Sequence, residues 1–312
     1  MKQIINPTKD IKPIHINGLN GRMLRVRPNT HKNVEILLLY GHHASIERML
    51  GVAEVLARYG GVTMPDYPGF GGMDSFYKIK QKPTLDNYAD YMYTFIKWRY
   101  KKKKITIAAT SFGFLIVTKM LDKYPELTKQ VNLLISFVGF LHHEEFILPK
   151  NRMRIGKAMG LVFSTKPLAW FAQHIVLRKS LIKYAYKRAA NSHAKLKDAE
   201  SSEELERRLD FEAVLWTIND IRTHMFTQRL MLTINLLDIR IPDVAVHYVG
   251  VTHDHFFDMH IIEQHLKIVY KNCTFAKSLS KAHAPTVIAT PEDAKAMLPP
   301  KTIHVLQTLK HY

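Results

Sequence analysis

The stretch ITIAATSFGFLIVTKML, Ile105 to Leu121, decides the fold. Ile105 to Ala109 is a short apolar run of strand length, and from Phe114 the apolar positions continue at helical spacing. Only Thr110 and Ser111 separate the two patterns. A serine at such a junction stands on a tight turn with its hydroxyl projecting above the sheet. The helix amino terminus then lies beneath the place where negative charge would develop. Ala109 and Gly113 are small enough for the close strand–helix approach that the turn requires. Ala109 occupies the first glycine position of a G-x-S-x-G pattern, so the literal motif is absent. The competing reading is that Ser111 only caps a helix running from Phe112 to Tyr124.

Working outward, an extended segment at Met23 to Val26 precedes a strong apolar run, Val34 to Tyr40, which reads as a buried strand. Gly41 ends it, and Ser45 is the expected cap of a helix towards Tyr59. Val62 to Met64 is a short strand stopped by Pro65, and the loop PDYPGFGG (Pro65 to Gly72) follows. Asn87 to Tyr100 has roughly helical spacing, and Val131 to Val138 is another buried strand. Strands alternating with helices predict an α/β fold with a mostly parallel sheet covered on both faces. Residues 142–238 break the alternation, with helical stretches at Pro167 to Ala190 and Ser201 to Asn219, and a capping box at Ser201 and Glu204. Val244 to Val249 restores a strand, Phe256 to Tyr270 a helix, Cys273 to Ala276 a last strand, and Thr302 to Leu309 a closing helix. The expected organisation is a sheet core over 1–140, a helical cap over 141–240 and the rest of the core over 241–312.

A nucleophilic serine needs a base, and the base needs an orienting partner. Asp254 follows the strand Val244 to Val249 in GVTHDHFFD, and His283 lies 29 residues later in SKAHAPT. Both would fall beyond the carboxyl ends of neighbouring strands, on the edge that carries Ser111, in the order Ser…Asp…His. Asp258, expected inside the next helix, and Glu144 and Glu145 in LHHEEF are the rival acids. A backbone-bonded turn is the rival role for His283, and His253 and His255 read as flanking groups. YGHHAS, Tyr40 to Ser45, suits an oxyanion site in which the N–H of His42 pairs with the N–H of Phe112. Its plainer reading is a helix-entry turn.

These pieces, LLLYGHHAS, PDYPGFGG, IAATSFGF, GVTHDHFFD and KAHAP, resemble the α/β-hydrolase superfamily, particularly its capped esterase, lipase-like and carbon–carbon-bond hydrolase members. The resemblance spans nearly the whole sheet domain. It implies a serine hydrolase that cleaves an ester-like acyl substrate through an acyl-enzyme, with no metal or organic cofactor. It also places PDYPGFGG beside the active-site entrance, with Asp66 structural. The cap matches no particular family, so the substrate stays open.

Composition bounds the alternatives. Hydrophobic content of 46% excludes general disorder, and no stretch is long and apolar enough for a spanning helix. The start MKQIINPTKDIKP lacks the apolar core of a secretory signal. Cys273 is the one cysteine, which fits a reducing, cytoplasmic setting. The net charge of +18 would attract an anionic membrane surface or nucleic acid. However, zinc-finger spacing, an RNP-like aromatic motif and a long basic tail are all missing, which argues against specific nucleic-acid binding. His253, His255 and His260 with Asp254 and Asp258 could gather around zinc, but there is no HExxH motif. YPGFGG lacks the pattern of a dinucleotide or phosphate loop. The alternative to an enzyme is a hydrolase-shaped protein that binds a protein partner or an anionic membrane. Oligomeric state is left open.

Overall fold

The computed structural model describes residues 5–28, 34–189, 201–252, 254–278 and 291–309. Eight strands form one sheet: β1 (Ile11–Ile16), β2 (Leu19–Val26), β3 (Glu35–Leu39), β4 (Gly61–Pro65), β5 (Ile105–Thr110), β6 (Val131–Phe137), β7 (Ile241–Val251) and β8 (Tyr270–Ser278). Their spatial order is β1-β2-β4-β3-β5-β6-β7-β8. All neighbours from β4 onward pair in parallel, and only β1–β2 and β2–β4 are antiparallel.

The helices are α1 (Pro7–Asp10), α2 (Leu50–Leu56), α3 (Leu85–Tyr100), α4 (Phe112–Lys123), α5 (Lys150–Phe163), α6 (Lys166–Phe171), α7 (Lys179–Ala189), α8 (Ser202–Ile218), α9 (Ile221–Met231), α10 (Met259–Val269), α11 (Pro291–Ala296) and α12 (Pro300–Gln307). The first four and the last three accompany the strands. The other five, α5 to α9, lie in the single interval between β6 and β7.

Burial explains why the central strands read so clearly. Every residue of β3, β4 and β5 is buried, because helices cover both faces of a parallel sheet. Glu35 tolerates this position because Arg25 and Arg99 reach its carboxylate at 3.0 and 3.8 Å.

One local expectation is extended and two are corrected. The extended segment at Met23 to Val26 is the end of a hairpin, β1–β2, turned by Asn17 and Gly18 with φ of 52° and 79°. The side chain of Ser45 makes no capping hydrogen bond. The carboxylate of Asp66 takes over, accepting from the N–H of Ile46 at 3.1 Å. The helical stretch expected over Pro167 to Ala190 is broken. A π turn at Ala172–Val176 separates α6 from α7, while Gln173 Oε1 accepts from the N–H of Ile221 at the start of α9.

Candidate active site

Ser111 occupies the junction of β5 and α4 with φ 48° and ψ −113°. That conformation is uncommon for a residue with a Cβ and costs on the order of 1–3 kcal/mol. His43, after β3, and Val138, after β6, also have positive φ, at 52° and 45°. Left-handed backbone therefore recurs beyond the carboxyl ends of three neighbouring strands, as it does where a fold holds functional groups.

The packing around the turn holds it in place. Ser111 N–H donates to Phe137 O at 3.0 Å, and Val138 N–H donates to Val249 O at 2.9 Å, so the ends of β5, β6 and β7 are laced together. A Cβ on Gly113 would lie 2.7 Å from Tyr40 O and 2.8 Å from Tyr67 Oη, so only glycine lets α4 approach β3 this closely. Ser111 itself is partly exposed and Phe112 beside it is fully buried. The N–H of Phe112 is the first of α4, where no helical carbonyl lies within reach.

The loop after β3 passes close over the serine. A Cβ on Gly41 would lie 3.4 Å from Ser111 Cβ, which sets His42 beside the turn. The His42 ring meets Phe112 and Phe70 edge-on, at centroid distances of 5.8 and 5.4 Å, and its Nε2 lies 2.9 Å from Thr227 Oγ1 of α9. His43 packs on Trp216 and His224. Arg48 donates to His43 O at 3.0 Å and forms a buried ion pair with Glu212 of α8. The interval between β6 and β7 is thus pinned to this loop. It is also pinned to PDYPGFGG, where Asp220 N–H donates to Gly69 O and Gly71 N–H donates to Asn219 Oδ1.

Asp66 anchors the same loops from below. Its carboxylate accepts from Tyr40 Oη, Ile46 N–H and Arg22 Nε, and burial lifts its pKa to about 7 against the pull of Arg22. Tyr40 Oη in turn accepts from Tyr67 N–H, and Tyr67 Oη donates to Tyr40 O.

Asp254 sits three residues beyond β7, partly exposed, and its Oδ1 accepts from the N–H groups of Phe256 and Phe257 at 2.8 and 3.3 Å. That Asx turn fixes the carboxylate at the carboxyl edge of the sheet. The rival acids are engaged in other local structure. Asp258 lies just before α10, outside the helix, and accepts from His260 and Ile261 N–H as its cap. Glu145 is buried, accepts from Leu141 and His142 N–H, and pairs with His265 Nδ1 at 2.6 Å. Burial raises Glu145 to about 7. Glu144 is exposed. His283 and His253 lie outside the described residues.

Of the histidines considered for zinc, His255 and His260 are exposed, and His260 Nε2 bonds Gln264. The described group whose ligand atoms approach one another within 4.8 Å is His142, His143 and Glu144. There His142 Nδ1 accepts from Glu144 N–H and His143 Nδ1 lies 3.0 Å from Ile234 O, so both rings already brace a turn. Among the described residues no helix is long and apolar enough to cross a membrane.

No protein-family model matches the chain, and no curated protein does. Solved structures do. A hydrolase from Pseudomonas aeruginosa matches with a TM-score of 0.67 at 10% identity, over 96% of this chain and 99% of the other. A membrane phospholipase A, described as a bacterial virulence factor, matches at 0.65 and 15% identity over 96% and 87%. A thermophilic esterase from Thermogutta terrifontis matches at 0.62 and 13% identity over 96% and 98%. The mostly parallel eight-stranded sheet with flanking helices agrees with these likenesses, and the chain has the α/β-hydrolase fold.

Proposed function

We propose that the chain is a serine hydrolase that cleaves an ester-like acyl substrate with an apolar part. The observation that carries this is the backbone of Ser111, held at φ 48° and ψ −113° at the carboxyl end of a central strand. A residue that merely capped α4 would not need that conformation, and Ser111 makes no side-chain capping bond. The names of the similar structures, a hydrolase, a phospholipase and an esterase, support the reaction class.

In this mechanism His283 takes the Ser111 proton as Oγ attacks the acyl carbonyl. Asp254 orients the imidazole and stabilises its charged form. The N–H groups of Phe112 and His42 receive the oxyanion, and loss of such a donor costs about 3–4 kcal/mol of transition-state stabilisation. His283 next protonates the leaving alcohol, leaving an ester on Ser111, and then deprotonates the water that releases the acid. Residues 141–240 serve as a cap over this edge.

The test is labelling by a fluorescent alkyl fluorophosphonate beside hydrolysis of a series of p-nitrophenyl acyl esters. Wild type is expected to label and to hydrolyse, and Ser111→Ala to do neither while keeping its circular dichroism spectrum. Equal labelling of the two proteins would overturn the assignment.

A further inference from the structure

The outer surface of the helices between β6 and β7 carries a chemistry that the catalytic reading leaves unused. From Ile147 to Ala189 the chain has ten Lys or Arg and no Asp or Glu. Over the same residues large apolar side chains stand in solvent: Ile155, Met159 and Val162 on α5, and Leu168, Trp170 and Phe171 on α6, with Ile155 and Trp170 each 58% exposed.

The small residues face inward instead. A Cβ on Gly160 would lie 2.7 Å from Arg229 Cβ, so α5 presses its glycine side onto α9. Ala169 and Ala172 pack against Ile221. A surface helix ordinarily buries its large apolar residues and exposes polar ones, whereas α5 and α6 reverse this. On α5, Ile155, Met159 and Val162 share one side by helical periodicity, while Lys150, Arg154 and Lys157 lie about 140° round the helix with the exposed Leu161 among them, so apolar and basic side chains flank the outward face from both sides. Lys179, Lys183 and Lys187 of α7 pair with Asp210 and Glu206 of α8. Lys150, Arg152, Arg154, Lys157 and Lys166 enter no ion pair among the described residues.

We propose that this face, formed by α5 and α6, is a docking surface for an anionic lipid bilayer. Exposed aliphatic and aromatic side chains beside uncompensated cations match the two layers of such a surface. Apolar side chains enter the acyl boundary, while lysine and arginine reach the phosphates and carboxylates of the headgroups. A nucleic acid would use the cations but leave Ile155, Met159 and Val162 without a partner. Lys101 to Lys104, at the amino end of β5, provide an internal contrast: they are equally basic and exposed, but lie at the opposite edge of the sheet. The inference rests on the helical surface alone and does not depend on Ser111.

The experiment is co-sedimentation of the full chain with vesicles of phosphatidylcholine alone or mixed with phosphatidylserine. Binding is expected to the mixed vesicles and to weaken in high salt. The variant Lys150→Glu/Arg154→Glu/Lys157→Glu should lower it by about a hundredfold or more, at roughly fivefold for each basic side chain lost. Trp170→Ser/Phe171→Ser, which changes no charge, should also lower binding. Lys101→Glu/Lys102→Glu/Lys103→Glu and Ser111→Ala should leave it nearly unchanged. Equal loss in the Lys101 variant would show that net charge alone acts, and would overturn the proposal. So would binding to duplex DNA without binding to mixed vesicles, or wild-type binding in the Trp170/Phe171 variant.

Discussion

Replacing Gly113 with alanine tests whether the close packing of α4 on β3 is what aims the serine. Two effects of opposite sign compete. Alanine in a helix is favoured over glycine by about 1 kcal/mol. Against this, the new methyl would lie 2.7 Å from Tyr40 O, 2.8 Å from Tyr67 Oη and 3.1 Å from Leu39 Cβ. Two of these atoms belong to a buried strand and its exit and cannot swing away. The third is held by its hydrogen bond to Tyr40 O, worth about 1 kcal/mol. Relief therefore requires α4 to back away from β3, and such overpacking costs about 1–3 kcal/mol besides any hydrogen bond lost. The net expectation is a destabilisation of about 1–2 kcal/mol, read from the urea midpoint at unchanged slope. The Ser111 turn is the first point on α4 to move, so labelling by the fluorophosphonate should slow by at least about tenfold, more than the folded fraction accounts for. A Gly113→Ala protein as stable as wild type and labelled at the same rate would refute the idea that this contact positions the nucleophile.

Two further outcomes follow from individual contacts. Asp254→Asn retains an oxygen for the Phe256 and Phe257 N–H groups, so stability should hold while ester hydrolysis falls by about four orders of magnitude; activity within tenfold of wild type would remove Asp254 from the proposed mechanism. His247, buried between the hydroxyls of Thr274 and Thr302, is lowered from 6.5 to about 4 by burial and then by Lys301. Its folded pKa is depressed, so its contribution is complete above pH 6.5 and is lost as pH falls towards 4, at most about 3 kcal/mol. Urea unfolding at a series of pH values should show that loss in wild type and a smaller slope in His247→Gln; identical slopes would refute it.

How much of this molecule was legible beforehand follows from what each segment must bury. The strands β3, β5 and β6 are enclosed by helices and so are nearly continuous apolar runs, and Ser111 stands out because it interrupts one of them at a helix start. The edge strand β1 gave no such run. Lys12, Pro13 and His15 face solvent and only Ile14 and Ile16 are buried, so proline and alternating polarity masked it, although Asn17-Gly18 carried the hairpin signal. Four carboxylates follow β6 or β7, Glu144, Glu145, Asp254 and Asp258, and the sequence ranks them only by position. Side-chain bonds set Glu145 apart, because it holds a buried turn and pairs with His265, whereas Asp254 and Asp258 each accept from the N–H groups two and three residues on. The pair Arg48–Glu212 was out of reach because its members are 164 residues apart and each reads locally as a surface charge.

The strain at the sheet edge had the weakest trace of all. His43, Ser111 and Val138 have positive φ, yet none is a glycine or an asparagine, the residues that announce such backbone in a sequence. Their conformation is imposed from outside, by hydrogen bonds such as Arg48 to His43 O, Ser111 N–H to Phe137 O and Val138 N–H to Val249 O. A glycine at any of these positions would relax the turn and remove the side chain together. Keeping a side chain there has a purpose only if the side chain is used, and of the three only Ser111 offers a hydroxyl at the partly exposed edge of the sheet.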